Sequence, residues 1–247
     1  MYRPRHFDID DASTISAFMR TQSFALLVTN IDGVPFASHI PLLLEDGGEH
    51  GRLIGHLSKA NNQWQGFDGE TKALAVFWGP HAYISPNWYA SKRMVPTWNY
   101  VTVHAYGKPA VIDDPDAIRQ GQADMVDYYE SNATGNWSMD DMDVDYQKNM
   151  LKGIVAFEMP IDRLEGKFKL NQKNSAADRE GAIKGLRGTG NAEAAEVARL
   201  MENFSPVDDY DVNHHAPARV TLNRLAKTPA CHRIAEVFPV AQARSPA

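Results

Sequence analysis

The chain has 247 residues, 43% of them hydrophobic and 23% charged, an ordinary globular composition with enough length to bury a sizeable core. A net charge of −6 and a pI near 5.8 argue against a protein wrapped in nucleic acid, because neutralising phosphates takes a basic face. The single cysteine, Cys231, excludes an intrachain disulfide and a cysteine-rich metal site.

The chain opens Met1-Tyr-Arg-Pro-Arg-His without an apolar stretch, so no secretory signal is predicted and the expected location is the cytoplasm. Asp10 or Asp11 can cap a short helix running to about Arg20, and Ser23–Asn30 reads as a buried strand. Asp32-Gly33 is a hairpin signal, followed by a strand over Val34–Leu44, a polar turn, and a third strand over Arg52–Leu57. The longest apolar runs, Phe24–Val28 and Ile40–Leu44, are strand-sized and far short of the ~20 residues of a membrane-spanning helix. Lys59–Gln65 is a polar connector with one helical turn, and a fourth strand is predicted over Leu74–Trp78.

Residues 79–97 then read as a loop rich in aromatics and proline. The surrounding stretch, 77–107, holds Trp78, Trp88 and Trp98 among several tyrosines, with three prolines and two histidines. Cores are normally filled with Leu, Ile and Val, whereas Trp and Tyr bring a polar handle that needs a partner once buried. The stretch therefore reads as a shaped surface, for a planar ligand or for another protein. Trp98–Ile112 should be a long strand with Gly107 and Pro109 marking a bulge or an edge. A helix is predicted over Pro115–Tyr129, capped by Asp114 with Pro115 at its first position. A loop around Asn132–Ser138 leads to a second short helix over Asp140–Leu151.

Strands are predicted at Gly153–Met159 and Leu164–Leu170, then helices at Ala176–Leu186 and Ala192–Asn203, the last capped by Asn191. Residues 163–187 carry seven Lys or Arg against three carboxylates, read as a solvated face with phosphate contact as the alternative. From Ser205 the composition shifts to Asp, Asn, His, Pro and Arg, an extension packed on the surface or loosely ordered. Strands first and helices late give an α+β class whose core is an antiparallel barrel.

Five motifs carry a resemblance. Ser38-His-Ile-Pro-Leu-Leu-Leu, Gly55-His-Leu-Ser-Lys-Ala-Asn-Asn-Gln-Trp, Gly79-Pro-His-Ala-Tyr-Ile-Ser-Pro-Asn-Trp-Tyr, Val95-Pro-Thr-Trp-Asn-Tyr and Gly166-Lys-Phe-Lys-Leu-Asn-Gln resemble the PaiB family of FMN-binding negative transcriptional regulators. The resemblance spans about residues 1–187, with 188–247 left as a C-terminal helix and extension. It implies a split β-barrel of the kind used by pyridoxamine-phosphate oxidases and flavin reductases, with peripheral helices. It also implies a homodimer holding FMN in a groove between subunits. One local departure is Lys169-Leu-Asn-Gln-Lys-Asn, where the family pattern expected is Lys-Leu-Ser-Gln-Asn.

FMN needs a cationic or hydrogen-bonding cradle for its phosphate, a flat apolar slot for its ring and donors at the ring edge. Under the resemblance, Ser58, Lys59, Asn61, Lys167 and Lys169 are the candidates for the phosphate, and Tyr83, Trp88, Tyr89 and Trp98 for the ring border. Ser85, Thr97, Asn99 and Gln172 are small donors for phosphate or ring edge, and His39 and His81 are candidate ligand-facing imidazoles. His39 and His56 are expected on neighbouring strands but lack a zinc spacing, so no metal is expected. No nucleophile elbow or phosphate loop is present. A flavin-dependent oxidoreductase and a haem-binding barrel are the alternatives to a regulator, and DNA is a possible partner that the charge does not advertise.

Overall fold

The computed structural model describes residues 1–132 and 137–204. The expected extension from Ser205, with Cys231, and most of the expected loop at 132–138 lie outside the described residues. Nine strands and five α-helices follow in chain order among the described residues. They are β1 (Asp8–Ile9), α1 (Ala12–Thr21), β2 (Phe24–Ile31), β3 (Val34–Pro41), β4 (Leu43–Glu45), β5 (Arg52–Ser58), β6 (Ala73–Ile84) and β7 (Thr97–Gly107). After them come β8 (Ala110–Val111), α2 (Pro115–Asn132), α3 (Val144–Leu151), β9 (Ile154–Lys169), α4 (Ala176–Gly188) and α5 (Ala192–Asn203). The strand order is β3-β2-β6-β7-β9-β5-β4, with β1 and β8 also pairing with β9. This is the antiparallel, α+β arrangement that the sequence pattern predicts, in the split-barrel topology with peripheral helices that the resemblance implies.

Several local rules explain the elements. Asp32 and Gly33 take φ of 51° and 83°, the left-handed pair that a two-residue hairpin needs to match strand twist, and β2 and β3 then pair from Ile31↔Val34 to Phe24↔Pro41. Asp11 caps α1 by accepting the Thr14 N–H at 2.8 Å. Asn191 caps α5 by accepting the Ala194 N–H at 3.0 Å. Three expectations need correction. β6 does not end at Trp78 but runs on to Ile84, so the loop contracts to 85–96. The strand predicted over Val34–Leu44 is interrupted at Leu42, whose N–H leaves the hairpin to donate to Ser23 O at 2.8 Å. The two strands expected at 153–159 and 164–170 are one, because Pro160 withholds a single donor and the Ile161 N–H resumes bonding on Gly51 O at 3.0 Å.

The described residues divide into two compact units, one of residues 1–18, 78–103 and 165–204, the other of residues 19–77 and 104–164. The second has the β2–β3 hairpin paired to the start of β6 through Leu26↔Val76 to Val28↔Leu74. Its core includes Leu27, Leu53, Ala75, Phe77, Phe157 and Met159, all fully buried, with Phe67 meeting Phe157 edge-on at 4.8 Å. The buried amide of Gln63 donates to Leu27 O and to Thr29 Oγ1, each at 3.1 Å. Those bonds tie the short 3-10 turn Asn62–Gly66 to β2.

In the first unit α4 and α5 form a helical hairpin. It buries Ala182, Leu186, Val197, Leu200 and Met201 alongside Phe18, Ile84, Val101, Phe168 and Leu170. Phe168 touches Phe204 edge-on at 5.0 Å. Arg179, on α4 and only 5% exposed, donates to Leu170 O at 2.6 Å, to Phe204 O at 2.9 Å and to Met201 O. One guanidinium thus satisfies the end of β9 and the orphan carbonyls at the end of α5. Burial lowers its pKa from the ordinary guanidinium range.

Candidate functional site

The alternation of β6 slips at Pro80–His81. Phe77 and Gly79 point inward and Trp78 outward, both Pro80 and His81 are half-buried, and then Ala82 and Ile84 point inward with Tyr83 outward. The slip puts Trp78, His81 and Tyr83 on one outer face although their spacing is not even. On β7 Asn99 and Val101 are buried while Trp98 is exposed and Tyr100 half-exposed. Trp78, Tyr83 and Trp98 are 60%, 45% and 53% exposed. Such a contiguous group of large exposed rings calls for a functional explanation where scattered ones would not. Ring centroids lie 5.6 Å apart for Trp78 and His81, and 6.0 Å apart for both His81–Trp98 and Tyr83–Trp98.

Glu193, at the start of α5, joins this face from 112 residues away. Its Oε1 lies 2.7 Å from His81 Nδ1 and accepts the His81 backbone N–H at 3.3 Å. Trp78 Nε1 also donates to the same Nδ1 at 3.1 Å. One nitrogen cannot accept from the indole and donate to the carboxylate at once, so the proton on Nδ1 selects between Trp78 and Glu193. The other ring nitrogen is a donor in the first case; in the second it is an acceptor when the ring is neutral.

Two lysines lie at the end of β9. Lys169 Nζ donates to Thr97 Oγ1, and partial burial, then the neighbouring Lys167 ammonium, pull its pKa down. Lys167 is buried, donates to Tyr2 O at 3.0 Å, and lies over the rings of Tyr2 and Tyr100 at 5.6 and 5.2 Å. Gln172 turns back on its own strand, accepting the Leu170 N–H at 2.8 Å and donating to Phe168 O. Asn99 has no exposed surface and its amide faces Met201 Sδ at 3.3 Å.

Ser85 accepts the Asn87 N–H at 3.2 Å and starts the 3-10 turn Pro86–Trp88, which packs on α4. The Trp88 indole lies against Gly185 and its carbonyl against Gly181. The two glycines, Asn87, Trp88, Lys184 and Thr189 line a shallow cavity of about 510 Å³. Tyr89 is buried and accepts from Asn171 Nδ2 at 3.2 Å. Asp178 fastens the same loop, accepting from Ser91 N at 2.8 Å and Ser91 Oγ at 2.9 Å, and the Ser91 N–H holds its carboxyl below the usual carboxylate range.

The other candidates belong to the second unit. Asn61 caps the Asn62–Gly66 turn with its oxygen and donates to Ser38 Oγ at 2.9 Å. Ser58 accepts the Ala60 N–H at 3.3 Å, Lys59 is exposed, and the Lys59 carbonyl accepts from Trp64 Nε1 at 3.0 Å. His39 is exposed and stacks on Phe24, centroids 6.3 Å apart and planes 24° apart. His39 stands opposite Leu26 on β2 and His56 opposite Ala156 on β9, so the two are not cross-strand partners.

His56 supplies a pH test. Burial holds its imidazole below the ordinary value, and its Nδ1 makes no hydrogen bond among the described residues. The unfolded chain takes up this proton at about pH 6.5, whereas the folded chain does so only at lower pH. The stabilisation is therefore complete above that value and drains away as pH falls towards the folded pKa. Denaturation midpoints should fall between about pH 7.5 and 5.5, and His56→Leu should flatten the slope. Equal slopes in both proteins would refute this role.

Residues 1–163 match a family model described as "Putative FMN-binding domain". The chain is 34% identical over 203 residues to "Protease synthase and sporulation protein PAI 2" of Bacillus subtilis, covering 82% of this chain and 97% of that protein. Among solved structures it is similar to the flavocytochrome Anf3 from Azotobacter vinelandii, with a TM-score of 0.52, 14% identity, and coverage of 68% and 72% of the two chains. It is also similar to an FAD and heme binding protein from Mycobacterium smegmatis, with a TM-score of 0.50, 17% identity, and coverage of 71% and 79%. At those identities the structures speak to the fold. No helix among the described residues is long and apolar enough to cross a membrane.

Proposed function

This chain belongs to the PaiB family of FMN-binding split-barrel proteins, and we propose on that premise that it binds FMN as a cytoplasmic homodimer and that flavin binding governs negative regulation of transcription. The observation that supports the reading best is the exposed row of Trp78, Tyr83 and Trp98 beside His81. That row offers a flat apolar surface with a hydrogen-bonding edge, as an isoalloxazine requires. In the same unit Thr97, Lys169 and Gln172 are the proposed polar contacts, with Ser85, Trp88 and Asn99 holding the β6–β7 connection that presents the rings. In the other unit Ser58, Lys59, Asn61 and His39 are proposed flavin contacts. A bound flavin supplies reversible redox chemistry. His81 offers its edge a donor or an acceptor according to which of Trp78 and Glu193 holds Nδ1. Regulation requires that the flavin's occupancy or redox state favour one conformation of the protein, since equal affinity for both shifts nothing.

The absorbance spectrum of the purified protein, repeated on the supernatant after unfolding, tests the cofactor and separates flavin from haem. FMN titration should quench tryptophan fluorescence, and Trp98→Ala should weaken binding about tenfold through lost stacking. Absence of FMN binding would sink the reading. Gel shifts on the protein's own upstream DNA at low salt, with and without FMN, test repression; steady oxidation of reduced nicotinamide with added FMN would favour an oxidoreductase instead. We also carry the division into a split-barrel domain over 1–187 and a C-terminal helix and extension over 188–247 as a proposal. Truncation after Phe204 is expected to leave FMN affinity unchanged, because every proposed contact precedes it, and sizing of the truncated chain reads whether the extension supports the dimer.

A further inference from the structure

We propose that the exposed face of α3 is a docking surface for the basic C-terminal stretch of the same chain, residues 219–244. α3 is eight residues long, and a helix that short does not hold itself together in water without a packed face. Gln147 is its one buried side chain, and the amide is used within the same segment, donating to Met139 O and to Met142 O at 3.2 Å. Val144, Tyr146 and Met150 are 60%, 56% and 55% exposed, and Trp137, just ahead of the helix in the chain, is 44% exposed. Tyr146 and Met150 stand four residues apart and share one side of the helix. Large apolar side chains gathered on one short element, and left uncovered by the described residues, mark a contact surface where scattered ones would not.

Charge points to what covers it. Residues 113–145 carry ten carboxylates against Arg119 alone, whereas the other 214 residues carry 24 Lys or Arg against 21 carboxylates. Arg119 reaches Asp140 at 2.6 Å, and among the described residues no other Lys or Arg lies within 4.0 Å of any of the ten. The helix thus presents apolar side chains in an acidic frame, which fits an occupant that carries both cations and large apolar residues. Residues 219–244 have that composition, with Arg219, Arg224, Lys227, Arg233 and Arg244 against Glu236, and Leu222, Leu225, Ile234 and Phe238 among them. Residues 205–218 hold three aspartates and no Lys or Arg, so the near part of the stretch is repelled by the acidic frame and the far part is drawn to it. The fifteen-residue step from Phe204 to Arg219 reaches about 50 Å when extended, and a tether of that kind keeps the local concentration near the millimolar range, enough for a weak contact to be occupied. The other basic run, 163–187, already commits Arg179 to three carbonyls and Arg187 to Glu202 at 2.8 Å. None of the docking residues is a proposed flavin contact, so the inference goes beyond the flavin reading and does not depend on it.

Carbodiimide cross-linking of the full chain tests the contact, because it joins an amine only to a carboxylate that it touches, and Lys227 is the one lysine beyond Phe204. The peptide map should show Lys227 joined to carboxylates of residues 113–145, and these products should fade in about 0.5 M salt, where screening acts within roughly 4 Å. Hydrogen exchange gives a second readout. In the full-length variant Arg224→Glu, Lys227→Glu, Arg233→Glu, the amides of Val144–Leu151 should exchange at least about fivefold faster than in the wild type, with the buried strands unchanged. All three substitutions lie beyond the described residues, so the variant keeps every contact of the fold given above. Unchanged exchange in α3 overturns the proposal, and the exchange comparison decides where no cross-link forms. A map in which Lys227 joins carboxylates elsewhere also overturns it, as does one in which a lysine of residues 163–187 takes its place. Mixing isotopically heavy and light chains separates the remaining case: Lys227 products that are mainly heavy-to-light would assign the face to a second copy and overturn docking within the chain.

Discussion

Arg179→Met is expected to lower the unfolding free energy by about 3 kcal/mol, a large share of the 5–15 kcal/mol typical of a domain. The guanidinium makes bonds to three carbonyls, of Leu170, Met201 and Phe204, and hydrogen bonds to a charged group contribute roughly 1.5–3 kcal/mol each without being additive. Two effects oppose one another. Methionine removes the penalty of keeping a charge out of water, but it takes the guanidinium's donors away from acceptors at the end of α5 and β9. The orphaned carbonyls should win, because they are main-chain groups fixed by the helix and strand they terminate. Guanidinium denaturation reads the effect. A variant within about 1 kcal/mol of wild type would show that water replaces the guanidinium at little cost.

Gly181→Ala should also destabilise, by about 2 kcal/mol, in spite of alanine's better helix propensity. A methyl at Gly181 would stand 2.0 Å from Trp88 O, and one at Gly185 would stand 2.2 Å from the Trp88 indole. Ala in place of Gly in a helix normally gains about 1 kcal/mol. Here the obstacle is a backbone carbonyl that cannot rotate away, so α4 and the 85–96 loop must separate. Forced packing of this kind costs roughly 1–3 kcal/mol beyond what the helix gains. The same separation loosens Ser91 from Asp178, so the variant should also show faster proteolysis between Ser85 and Pro96. Wild-type stability together with unchanged proteolysis would refute the close fit. Gly188→Ala serves as the control, because a methyl there meets nothing within 4 Å.

What could be read from the sequence was local. The Asp32-Gly33 turn, the Asp11 and Asn191 caps and the proline start of α2 each depend on a few neighbouring residues, and each appears in the fold. The misread strand boundaries lie at or beside proline or glycine, and the helix expected from Asp140 starts only at Val144, after a 3-10 turn over Met139–Asp141. Gly79-Pro80 suggested a loop, yet β6 passes through them because the alternation slips there and the proline is not asked for a ladder bond at a regular position. Pro160 misled in the same way in β9. Of the proposed contacts, the rings of the 77–107 stretch stand out by composition alone. Glu193 offers no signal of its own, since its pairing with His81 exists only because α5 folds back across 112 residues. Lys167 looks like any strand lysine until its burial and its neutral partner are known.

The slip at Pro80–His81 has a bearing on how this strand can change over generations. Substitutions in β6 alter one side chain at a time, whereas losing a residue from a regular part of a strand exchanges its faces on one side of the gap; losing Pro80 at the slip instead restores strict alternation and leaves both faces as they are. Ala82 and Ile84 would still point into the core and His81 and Tyr83 away from it. Single-residue deletions should therefore be better tolerated at Pro80 than elsewhere in β6 in any lineage that keeps the ring face, and a sampled library of single-codon deletions across β6 should show its mildest loss there.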